Sequence, residues 1–76
     1  MPPLATSPAP KLLTVEFDHE NDGRWIADIS ELPGVMAYGQ SKEEALSKVQ
    51  ALALRVLADK IERDGTPQTE VRFTFV

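Results

Sequence analysis

The sequence predicts an α+β domain with the element order βββαβ. Three observations predict it. Two stretches of alternating apolar and polar residues flank an Asp22-Gly23 turn, which reads as an antiparallel hairpin. A serine capping signal at Ser41 opens a long segment with apolar residues at helical spacing. A last alternating stretch follows Gly65, where a helix can return the chain to the sheet.

The first strand is predicted over residues 12–18. Leu13, Val15 and Phe17 share one face; Thr14, Glu16 and Asp18 share the other. Glu20-Asn21-Asp22-Gly23 supplies the turn, since Asp-Gly suits the backbone of a tight hairpin. The second strand spans residues 24–30, with Trp25, Ala27 and Ile29 on one face and Ile26, Asp28 and Ser30 on the other. Trp25 is therefore expected in the core. Glu31-Leu32-Pro33-Gly34 ends the ladder, because Pro33 lacks an amide donor. A short third strand is expected over residues 35–38, ended by Gly39.

The helix begins at Ser41-Lys42-Glu43-Glu44. The Ser41 hydroxyl is expected to accept from the Glu44 amide, and the Glu44 carboxylate to reach back to Ser41. Glu43 and Glu44 suit the positive end of the helix dipole. The helix is expected to reach about Arg63, with Gly65 as terminator. Its stripe is Ala45, Leu46, Val49, Ala53, Val56, Leu57 and Ile61, widened by Leu52 and Leu54. So broad a stripe is expected to exceed what one sheet face covers, which puts a helix edge at a homodimer or higher-oligomer contact. The last strand, residues 70–76, puts Val71, Phe73 and Phe75 on its apolar face. With the helix on one side of the sheet, the opposite face, carrying Thr14, Glu16, Asp18, Asp28, Arg72 and Thr74, is expected to be open.

Composition bounds the function. At 42% hydrophobic and 26% charged residues the chain is ordinary for a soluble domain. Residues 1–10 hold four of the six prolines and no charge, and read as a disordered tail ahead of a domain at residues 11–76. No stretch is apolar enough to span a membrane, and no signal peptide is evident. The absence of cysteine suits a reducing, cytoplasmic setting and excludes thiolate metal sites. Six acids lie between Glu16 and Glu31 against the single base Arg24, a local charge of -5 that leaves +1 for the rest of a chain totalling -4. Such a face repels nucleic acid, so no direct nucleic-acid contact is expected, and it attracts basic proteins.

The Asp-Gly hairpin followed by Trp25, the corner Glu31-Leu32-Pro33-Gly34-Val35, Tyr38-Gly39 and Ser41-x-Glu43-Glu44-Ala45 together resemble the HicB-type antitoxin domain. The similarity covers about Val15 to Ile61. It implies a partial RNase H-like sheet with one helix. It also implies a non-enzymatic, cofactor-free module that masks the active site of a small basic HicA-type RNA-cleaving toxin. Many such antitoxins carry a C-terminal DNA-binding segment; here the module is expected to act without one of its own. The partner-binding residues expected on this basis are Glu16, Asp18, Asp28 and Glu31, with Tyr38 as an aromatic anchor.

Two other functions compete with this one. An RNase H-like nuclease needs carboxylates that converge on paired metal ions. Asp18 and Asp28 are conceivable ligands, but the last strand offers only Glu70, and the helix acids belong to the cap. His19, the only histidine, sits in the acidic stretch Asp18-His19-Glu20 and reads as a surface residue. The remaining alternative is a homo-oligomeric scaffold. No catalytic, metal or cofactor residue is assigned.

Overall fold

The computed structural model describes residues 11–76, so the expected tail at residues 1–10 lies outside the described residues. The order is β1 (Lys11–His19), β2 (Trp25–Ile29), β3 (Met36–Gly39), α1 (Lys42–Asp64) and β4 (Val71–Phe75). This is the βββαβ, α+β arrangement that the sequence predicts. The strands form one mixed sheet in the order β3-β2-β1-β4. β1 and β2 pair antiparallel, with Val15 facing Ile29 and His19 facing Trp25. β2 and β3 continue antiparallel, and β4 runs parallel to β1 with Leu13 facing Phe73. Among the described residues, no helix is long and apolar enough to cross a membrane.

Local chemistry sets each corner. In the hairpin, the Glu20 carbonyl accepts from the Gly23 amide at 3.0 Å, and Asp22 accepts from the Arg24 amide at 3.1 Å. At the second corner the Val35 amide donates to the Leu32 carbonyl at 3.0 Å, and Gly34 has φ +88°. Proline followed by a residue of positive φ is the type II turn, so Pro33-Gly34 fits this corner.

The helix start departs from expectation in one detail. Ser41 is the N-cap and accepts from the Glu44 amide at 3.1 Å. The Glu44 carboxylate, however, accepts from the Gln40 amide at 3.1 Å, one residue further back than expected. Gly65 closes the helix by donating to the Ile61 carbonyl at 2.8 Å.

The core lies between α1 and the sheet. Ala45, Val49, Ala53 and Leu57 from the helix meet Leu13, Val15, Ala27, Ile29 and Val35, all buried. Leu46, Leu52 and Val56 pack at its margin, whereas Leu54 is exposed. The helix lies over β2 and β3. Gly39 makes that approach possible. A Cβ there would stand 2.4 Å from the Ala45 nitrogen, so only glycine lets the first helical turn rest on β3. Gly39 is also paired with Trp25 within the sheet, and so is more than the end of a strand.

Candidate functional site

Strand alternation sends one set of side chains away from the helix. On that face Glu16 of β1 lies opposite Asp28 of β2, and Asp28 lies opposite Met36 of β3. In the neighbouring row, Asp18 lies opposite Ile26, and Ile26 opposite Tyr38. The acids thus cluster on β1 and at Asp28 of β2, beside apolar Ile26 and Met36 and the Tyr38 ring. Glu16, Asp18, Ile26, Asp28 and Met36, with Phe17, line a shallow depression of about 320 Å³. Met36 is 44% exposed and Tyr38 42%, which puts two large contact-forming side chains beside the acids.

The electrostatics of this face are one-sided. Like charges directly opposite in an antiparallel pair destabilise a sheet by a few tenths to about 1 kcal/mol. Glu16 and Asp28 make such a pair. Glu16 accepts a hydrogen bond from the Ser30 hydroxyl at 3.3 Å, which carries no charge to offset it. Asp18 accepts from the His19 amide at 2.9 Å. The nearby cation, Arg24, is engaged elsewhere. Its guanidinium carbon stands 4.7 Å from the centre of the Tyr38 ring, and its Nε contacts Asp22 at 2.8 Å.

Glu31 is placed differently from the other expected residues. Its carboxylate accepts from the Thr14 amide and the Thr14 hydroxyl, both at 2.6 Å. The Thr14 hydroxyl also accepts from Thr74 of β4 at 3.3 Å. The Thr14 hydroxyl, and then its amide, hold the Glu31 carboxyl below its usual range. Glu31 therefore clasps the corner after β2 to β1, while Glu16, Asp18, Asp28 and Tyr38 share the open face.

The remaining sequence candidates sort by position. Trp25 is half-buried at the edge of the core instead of at its centre, because its strand partner is the exposed His19. The two rings stack with centroids 4.4 Å apart. The Lys42 ammonium lies 4.7 Å from the Phe17 ring centre and 5.7 Å from that of Trp25. Glu70 does not join Asp18 and Asp28. The Lys11 amide donates to the Glu70 carbonyl, which puts Glu70 at the Lys11 end of β1. Asp18 is seven strand positions away, roughly 23 Å at 3.3 Å per residue. Among the described residues, no three His, Asp or Glu side chains are grouped to hold a metal ion.

Ile26 and Met36 are the members of this face that sequence reasoning did not single out. Their parity with Asp28 and Tyr38 along each strand is the signal that would have found them. No family model, curated protein or solved structure gives a significant match to the chain.

Proposed function

We propose that this chain is a protein-binding module, acting without catalysis of its own, that neutralises a small basic RNA-cleaving protein of the HicA type by covering its active site. The observation that carries the proposal is the Glu16–Asp28 pair on the uncovered sheet face, flanked by Asp18 and by exposed Met36 and Tyr38. A like-charge pair without a neighbouring cation costs the free chain stability and is relieved when a basic surface docks. A ribonuclease must carry such a surface to hold RNA phosphates. The acids would steer association, and Tyr38 and Met36 would supply the desolvated contact that charge alone does not. The resemblance of the Asp-Gly hairpin, the Leu-Pro-Gly corner and the capping box to HicB-type antitoxins supports the same partner class.

The test is co-expression with the product of the adjacent reading frame, followed by titration calorimetry and an RNA-cleavage assay. The expected result is a complex that silences cleavage, weakens with salt and is lost in a Glu16→Lys/Asp28→Lys double variant. A neighbour that is neither basic nor RNA-cleaving, with no complex formed, refutes the proposal.

A further inference from the structure

β4 is an edge strand, paired on one side with β1. Its hydrogen-bond phase follows from its pairing with β1. The Glu70 carbonyl accepts from the Lys11 amide, and the Val76 amide donates to the Val15 carbonyl. In a parallel pair the residues that bond to a given neighbour alternate. Even-numbered residues of β4 therefore face β1, and Val71, Phe73 and Phe75 turn their N–H and C=O groups to the open edge. No described residue pairs with that edge.

The apolar side of the same strand is under-covered. The helix lies over β2 and β3, at the far side of the sheet. Val71 and Phe73 are left half-buried, and Phe75 is 56% exposed with only the parallel-stacked Phe17 ring, at 6.4 Å, beside it. An edge strand with a bare apolar flank and no lysine or proline is a pairing site.

We propose that β4 pairs antiparallel with β4 of a second copy, about a two-fold axis through Phe73, and so joins two four-stranded sheets into one of eight strands. In that register Phe73 faces Phe73, and Val71 faces Phe75 of the other copy. All three edge-facing residues then exchange backbone hydrogen bonds with the other strand. On the opposite side Arg72 meets Thr74 and Glu70 meets Val76, so no like-charged side chains oppose. The acidic strands stay apart. The two β1 strands are separated by three strand spacings, about 14 Å, beyond the screening length of about 8 Å at physiological salt. The β3 edge is the poorer choice, because only Met36 and Tyr38 turn their backbones outward there. One strand pair is a small interface, near or below about 1,200 Å², in the range of weak, transient contacts, and it leaves the Glu16–Asp28 face free.

Sedimentation equilibrium of the full chain from about 1 to about 500 µM tests this, with affinity read as a dissociation constant. Wild type is expected to pass from monomer to dimer across that range. Phe75→Lys is expected to weaken the dimer at least about tenfold, since an edge lysine opposes strand pairing. Val71→Glu/Phe75→Lys restores it, because the register brings each new carboxylate against the new ammonium of the other copy. Exchange of the Phe73 amide, followed by NMR in wild type, must slow as the dimer fills. A wild-type monomer throughout, a Phe75→Lys dimer as tight as wild type, or a Phe73 amide unprotected in the dimer overturns the proposal.

Discussion

Gly39→Ala isolates the contact on which the helix–sheet geometry depends. The added Cβ would lie 2.4 Å from the Ala45 nitrogen, 2.9 Å from the Glu44 Cβ and 3.0 Å from the Ala45 Cα. Two of those atoms are backbone, so no rotamer change relieves the clash. Ordinary contact begins at 3.4 Å, so β3 and the first turn of α1 must part by about 1 Å. A radial gap of 0.5–1 Å forfeits roughly a quarter to a half of each dispersion contact across it. Ala45, Val49 and Ala53 are fully buried behind that contact, and all would lose packing together. Overpacking of this kind costs about 1–3 kcal/mol, a large share of the roughly 5 kcal/mol expected of so small a domain. The midpoint of thermal unfolding, followed by circular dichroism, is expected to fall by roughly 4–24 °C, at about 4–8 °C for each of the 1–3 kcal/mol. A variant that melts within about 2 °C of wild type would refute the close approach.

Other outcomes follow from the same geometry. Asp28→Asn removes one half of the like-charge pair and is expected to raise free-chain stability by about 0.5 kcal/mol at low salt; the gain, read by urea denaturation, must shrink as salt is added. Ser41→Ala deletes the N-cap acceptor and is expected to cost about 1 kcal/mol in the same assay; no change would mean the cap contributes nothing. Glu31, held low by Thr14, is joined by Asp22, held low by the Arg24 amide, and Glu44, held low by the Gln40 amide and then Lys48. A carboxyl depressed in the folded state stabilises the fold above its unfolded value, near 4.5 for Glu31, and that stabilisation is lost as pH falls through the lower folded value. Stability should therefore be level near neutrality and decline in acid, and Glu31→Gln should shallow that decline; superimposable acid limbs would contradict the Thr14 clasp.

Features written in neighbouring residues were legible in the sequence. Alternation located the strands, Asp22-Gly23 and Pro33-Gly34 marked the corners, and Ser41 with Glu44 marked the helix start, because each depends on contacts within four or five residues. The shared face of Glu16, Asp18 and Asp28 followed from the same two-residue period. Contacts across the sheet were not legible. The Glu31 clasp reaches Thr14, 17 residues earlier, and a surface acid that binds a distant amide looks like any other acid. Gly39 reads as a strand terminator until a helix is laid against it. Trp25 reads as core because its parity is apolar, yet its partner, exposed His19, stands at the turn end of the hairpin.

The parallel pairing of β4 with β1 has a consequence for how the chain folds. Thr14 and Thr74 touch across 60 residues of sequence, whereas β2, β3 and α1 each follow closely on the element before. Closing so long a loop is slow compared with forming a hairpin, so β4 docks late and its residues should show φ-values near zero. Until it docks, the inner edge of β1 is bare and Leu13 and Val15 lack their fourth strand. A β4 from another nascent chain fits that edge as well as the native one, with residues 65–70 as the hinge. Because β4 is made after the four elements it joins, exchange of β4 between chains is the misfolding outcome that this topology predicts.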